Sequence, residues 1–273
     1  MARQSPDRPD TNELGDESLW EDVRVHPVEI ALPTGVGYTL RAYRPAREIR
    51  YSAAERRADE VIDGEQDVDE DRAVDEDEAM EFDKADDVRD DDADEADAPD
   101  EPDFDDESDA GDEEVPVFLA HEGRLYLCRT KESLVAFVRS GAPHDLTQLD
   151  TWAELAERID QAQVTPDDED SYELDLVVEN LRGGHDVWDP ELIISAGEIA
   201  RDLAYALRIE PLLTALAPGS PLDDLDEALR ASLSGGLRGF AGRRRARKIG
   251  AQQATLAWRS MIGKISSAVD WRD

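Results

Sequence analysis

The chain has 273 residues, with 68 Asp and Glu against 30 Lys and Arg and a net charge of −38. Most of that imbalance lies between Glu55 and Glu114, where 33 acids meet 5 bases for −28; the other 213 residues, with 35 acids and 25 bases, reach only −10. One cysteine, Cys128, excludes an intrachain disulfide and a cysteine metal cluster, and no charge-free window of 18 residues is present to form an apolar membrane span.

The polar start, residues 1–18, offers neither a packing pattern nor the apolar stretch of a secretory signal. It is expected to be disordered, and the protein to be cytoplasmic. Residues 19–50 read as a first β-hairpin. Val23 to Leu32 alternate apolar and polar with a slip at His26-Pro27, Pro33 to Gly37 supply a turn, and Tyr38, Leu40 and Ala42 resume the alternation. Pro27 cannot donate to a ladder, so it should mark an edge or a bulge.

Residues 51–114 form the acidic tract. A run such as Asp90 to Asp97 buries too little apolar surface to offset about 1–2 kcal/mol of backbone entropy per residue. The tract should be extended, self-repelling and disordered. Loop-closure cost rises only with the logarithm of length, so it can be inserted between two hairpins of one sheet.

Residues 115–165 read as a second hairpin and the helices that complete an N-terminal domain. Val115, Val117 and Leu119 alternate, Glu122-Gly123 turn, and Leu125, Leu127 and Cys128 lead out. Beyond Arg129 the period becomes helical: Thr130 is the expected N-cap for Leu134, Val135, Phe137 and Val138, and Asp150 the expected cap for Trp152, Leu155 and Ile159.

Residues 166–273 read as a helical C-terminal domain. Tyr172 to Leu181 suits a strand or a helix by pattern, and a helix by its neighbours. Asp189-Pro190 opens a long amphipathic helix, Pro211 breaks it, and Ser220-Pro221 opens another through Leu225, Leu229 and Leu233. The last helix is expected from about Gly242 to Trp271. The fold class that results is α+β: a small antiparallel β-sheet of two hairpins followed by an α-helical C-terminal half, with a long disordered acidic insertion.

No catalytic motif is visible, so the expected protein is not an enzyme and takes no cofactor. His26, His121, His144 and His185 have no ligand-spaced partners, and Cys128 on an apolar strand reads as a buried structural thiol. Gly236, Gly239 and Gly242 have the spacing of a phosphate-binding loop but lack the preceding strand and the following lysine, which leaves a flexible joint. The candidate anion- or partner-binding residues are Arg243, Arg244, Arg245, Arg247 and Lys248. Placed at a helix N-terminus, they would oppose the macrodipole unless an anion offset them. That anion could be nucleic acid, an acidic partner or the chain's own acidic tract; otherwise the run is a solvated face. A tethered polyanion competes with DNA, which disfavours nucleic acid.

Several of these segments together resemble a known family. They are the first hairpin from Val28 to Tyr43, the second hairpin running into Glu132 to Arg139, the following Asp145-Leu146 and Trp152, and the helical half ending in Trp258 to Trp271. They resemble the SatS-like export chaperones, actinobacterial cytoplasmic proteins whose members are often labelled "primosomal protein". The resemblance implies an ATP-independent factor that holds aggregation-prone clients, exported precursors among them, through apolar grooves in its C-terminal domain. The alternative function is a nucleic-acid or replisome-associated adaptor using residues 243–248, although no helicase, primase or zinc motif is visible.

Overall fold

In the computed structural model, residues 16–49 and 113–273 are described. They belong to one compact unit. The expected disorder of residues 1–15 and 50–112 lies outside the described residues.

Helix α1 (Asp16–Val23) precedes the first hairpin, β1 (His26–Leu32) and β2 (Gly35–Pro45). It corrects the expected boundary at residue 18, because Leu19, Trp20 and Val23 are buried by its packing. The chain returns in β3 (Glu114–Phe118), β4 (Ala120–His121) and β5 (Arg124–Cys128). Glu114, expected within the acidic tract, is already paired to Pro45.

The second hairpin leads into α2 (Lys131–Arg139) and α3 (Trp152–Arg158). Thr130 caps α2 through a reciprocal box: its Oγ1 accepts from the Ser133 amide at 3.1 Å while Ser133 Oγ accepts from the Thr130 amide. At α3 the expectation fails by one residue. Thr151, not Asp150, precedes the helix, and its hydroxyl donates to Val23 O at 2.8 Å, tying α3 to α1 instead of capping.

Then follow β6 (Ser171–Glu173), α4 (Leu174–Arg182), α5 (Pro190–Ala206), α6 (Glu210–Ala215), α7 (Pro221–Leu233), α8 (Gly236–Ala246), α9 (Ala251–Ser267) and β7 (Val269–Arg272). The strand–helix ambiguity at Tyr172 resolves as both in succession. Asp189 and Ser220 cap α5 and α7 through side-chain oxygens, each with proline at the start of its helix.

The sheet order is β4-β5-β2-β1-β6, with β3 also on β2 and β7 on β5. The β1–β2, β2–β3, β2–β5 and β4–β5 pairings are antiparallel, as expected. Two are not: β6 runs parallel to β1 (Ile30 opposite Tyr172) and β7 parallel to β5 (Leu127 opposite Trp271). The sheet is therefore mixed, because segments that first cross over as helices return as its sixth and seventh strands. Pro27 lies beyond the β6 register, which covers only Glu29 to Ala31.

Alternation along the strands gives the sheet two buried faces. Leu40, Ala42, Val117, Tyr126 and Cys128 pack with Leu134 of α2 and Leu155 of α3 on one face. Val28, Ile30, Leu125 and Leu127 pack with Val177, Ile199 and Ile262 of the C-terminal helices on the other. The expected boundary at 165/166 thus separates the helices of the two faces and not two domains; both halves are built on one sheet.

Candidate functional site: an exposed helix face beside an acidic cleft

Helix α8 is packed inside out. Its buried residues are its small ones, Gly239, Gly242 and Ala246, spaced i, i+3, i+7 on one stripe. A Cβ on Gly242 would stand 2.4 Å from the Ser232 amide nitrogen, and one on Gly239 would stand 1.9 Å from Ser234 O. The missing side chains let α8 lie directly on the backbone of α7. These glycines are therefore neither a phosphate cradle nor a flexible joint, but a close helix contact.

The consequence is that the large apolar residues of α8 face outward. Leu237 is 90% exposed and Phe240 63%, beside Leu233 at 52% from the end of α7. Three large apolar side chains held on a rigid helix pair, without cover from any described residue, make a surface suited to binding.

The expected basic residues border this face at the other end of the helix from the one expected. Arg243, Arg244 and Arg245 occupy the last turn of α8, where cations complement the macrodipole and need no anion. The reason for the miss is that α8 begins at Gly236, and a new helix, α9, begins only at Ala251. Arg243 Nη1 donates to Ser232 O at 3.1 Å, Arg247 Nη2 to Asp186 Oδ1 at 3.1 Å, and Arg245 lies 3.8 Å from Glu227. Arg244 and Lys248 have no carboxylate partner among the described residues. Arg243, Arg244 and Arg247 line a hollow of about 370 Å³ with Phe240. Arg243 and Arg247 also enter a neighbouring hollow of about 290 Å³ walled by Trp188, Leu229 and Leu233.

Leu233 is shared with a third depression, an open cleft of about 1140 Å³ between the sheet edge, α5 and the end of α7. Its lining holds seven carboxylates, from Asp167, Asp168, Glu169, Asp170, Glu191, Glu198 and Asp202, against three arginines. Its floor is an ion-pair clasp. Arg41 of β2, buried, donates from Nη1 to Asp202 Oδ2 at 2.9 Å and to Tyr172 Oη at 3.0 Å, and from Nη2 to Asp170 Oδ1. Tyr43 Oη donates to the same Asp202 oxygen at 2.5 Å. Burial raises the carboxyls of both Asp170 and Asp202 above the ordinary range, against the pull of Arg41. Burial also raises the Tyr43 phenol, reinforced by its bond to Asp202.

Arg201 reaches Asp223 and Asp226, and Arg230 pairs with Glu198 and Asp226. Asp167, Asp168, Glu169 and Glu191 have no cationic partner among the described residues. In the sequence, the run Asp167-Asp168-Glu169-Asp170 is the one local signal of this cleft.

The remaining candidates are placed apart from this surface. Cys128 is fully buried, and burial pushes its thiol up to about 11, which leaves it a packing residue. His185 Nε2 lies 2.8 Å from Ile249 O between helices, and His144 is buried against Trp152. Among the described residues no group of three or more His, Cys, Asp or Glu is placed to hold a metal ion. No helix among them is long and apolar enough to cross a membrane.

No curated protein matches the chain. A solved structure, "The crystal structure of SatS c-terminal domain in complex with bromine", aligns over 94% of this chain and 98% of its own, with a TM-score of 0.57 and 18% identity. At that identity the likeness speaks for the fold. By sequence, residues 102–266 match the family described as SatS C-terminal domain, and this covers more than half of the chain. The chain belongs to the SatS C-terminal domain family.

Proposed function

We propose that the protein is a non-enzymatic, ATP-independent chaperone that holds aggregation-prone client proteins in the cytoplasm, exported precursors among them. The observation that carries this reading is the outward set of Leu233, Leu237 and Phe240. Apolar side chains fixed on a packed helix pair can cover exposed apolar segments of an unfolding protein without rearranging. Membership of the family supports the same reading through the resemblance to export chaperones. The adaptor reading is weaker on geometry. Three of the five basic residues are engaged within the protein, by Ser232, Glu227 and Asp186, which leaves Arg244 and Lys248 for phosphates.

The test is light scattering by a thermally unfolding client. An equimolar amount of the protein should suppress it without ATP, and the double variant Leu237→Ser/Phe240→Ser should not. Both side chains are exposed, so the variant should melt within about 0.5 kcal/mol of the parent. Suppression that survives the double substitution, or that is absent from the parent with every client, overturns the proposal.

A further inference from the structure

We infer that the acidic cleft and the α7–α8 face are one continuous track, which reads an extended polypeptide segment as basic at one end, apolar in the middle and acidic at the other. This rests on the chaperone reading and adds a rule for which segments are held.

The continuity is carried by shared walls. Leu233 lines both the acidic cleft and the hollow at Trp188 and Leu229. Arg243 and Arg247 line both that hollow and the one at Phe240 and Arg244. A chain laid along the surface passes from Asp167, Asp168 and Glu169, over Leu233 and Phe240, to Arg244, with Lys248 two residues beyond the end of α8. The charges at the two ends are of opposite sign, and in both places they are the ones that lack an ionic partner among the described residues. Most of the other charged groups of the cleft already serve the protein: Arg41 is held by Asp170 and Asp202, Arg201 by Asp223 and Asp226, and Arg230 by Glu198 and Asp226, while Glu191 adds one more carboxylate to the acidic end.

The physical division of labour follows. The middle supplies area-dependent affinity that salt leaves intact. The ends are open to solvent, so each pair contributes little and is screened, over about 8 Å at physiological ionic strength. Several such pairs in a row select among segments of equal hydrophobicity, and complementary charge at an interface acts in this way on choice of partner.

The test is fluorescence anisotropy with the full chain and three labelled peptides. They share one apolar core; the first has three Lys before it and three Glu after it, the second replaces the Lys by Gln, the third replaces the Glu by Gln. At about 50 mM salt the second and third should bind roughly fivefold or more weakly than the first, and at about 500 mM salt the three should converge. The variant Asp167→Asn/Asp168→Asn/Glu169→Gln should lose the preference for the Lys arm alone, and Arg244→Gln/Lys248→Gln the preference for the Glu arm alone. Equal affinities at low salt, or preferences untouched by these variants, overturn the track while leaving the chaperone reading in place. Failure of all three peptides together with failure to suppress client aggregation overturns both. Sedimentation at the same concentrations should give a monomer; a dimer abolished by Leu237→Ser assigns the face to a second copy and also overturns the track.

Discussion

Arg41 on β2 and Asp202 on α5 meet at 2.9 Å, so that a residue of the first hairpin anchors the helix that walls the cleft. The second guanidinium arm holds Asp170, just before β6, and the same arginine faces the rings of Tyr43 and Tyr172 at 5.0 and 5.7 Å. One side chain thereby fixes the relative positions of sheet, acidic turn and α5.

Removing that arginine should destabilise the protein strongly, because two mostly buried carboxylates would lose their counter-charge. Arg41→Met is expected to cost about 3 kcal/mol or more, and Arg41→Met/Asp170→Asn/Asp202→Asn to recover most of it. Both carboxyls titrate above their unfolded values, so the folded state takes up their protons first. Arg41 pulls both carboxyls down, so without it they rise further still, and the deficit of the single variant should shrink as pH falls and they take up protons. Urea denaturation at neutral and acid pH measures it; a deficit that stays constant with pH contradicts the account.

His144 should make stability fall in the opposite direction. Its ring sits edge-on to Trp152 at 4.2 Å, and burial, with a smaller effect from His121, holds its pKa down to about 4 against an ordinary 6.5. The folded state keeps it neutral. Its contribution is complete above about pH 6.5 and is lost as pH falls toward 4, up to about 3 kcal/mol in all. His144→Leu should flatten that part of the profile. Comparing the two proteins by urea denaturation at pH 7 and 4.5 isolates it, and parallel profiles would exclude His144 as the source.

Local signals are legible in the sequence where a residue acts on its own neighbourhood. Thr130, Asp189-Pro190 and Ser220-Pro221 announce helix starts, and the alternation of the hairpins announces strands. Tertiary events were not legible. Val269 continues the spacing of Ile262 and Ile265, so the last strand reads as the end of a helix until β5 offers it a parallel edge. Leu237 and Phe240 sit among glycines that, read alone, indicate a joint; only the approach of α7 turns those glycines into the buried side and the apolar residues into the outer one. The acidic cleft gathers residues from 26 to 233, and no local pattern could have assembled it.

Gly242 offers a direct check of that helix contact. Gly242→Val places carbon within the space of Ser232 N, Ala231 C and Ala228 O, backbone atoms that cannot step aside as a side chain would. Overpacking of this kind costs about 1–3 kcal/mol. It should appear as faster amide exchange in α8 and as weakened client holding, because the outward residues lose their rigid support. Leu237→Ser should weaken holding with no change in exchange. A Gly242→Val protein with parental exchange in α8 would rule out the close contact.

Removal of the acidic tract tests how the two hairpins are joined. Ala46 donates its amide to Glu113 O at 2.9 Å, and Pro45 stands opposite Glu114, so the chain leaves the sheet and re-enters it at one point. A short Gly-Ser linker can bridge such a gap in place of residues 53–110. Because closure entropy grows only logarithmically, shortening the connection should hold or slightly raise stability, by about 0.6 kcal/mol for each halving of length. The charge balance changes far more than the fold: loss of the tract removes most of the net −38, and with it the long-range repulsion that opposes self-association. The deleted protein should therefore melt within a few degrees of the parent yet aggregate at a lower concentration in low salt. Melting curves and concentration-dependent scattering separate the two effects, and a melting point lowered by more than a few degrees would mean that residues 53–110 contribute to the fold itself.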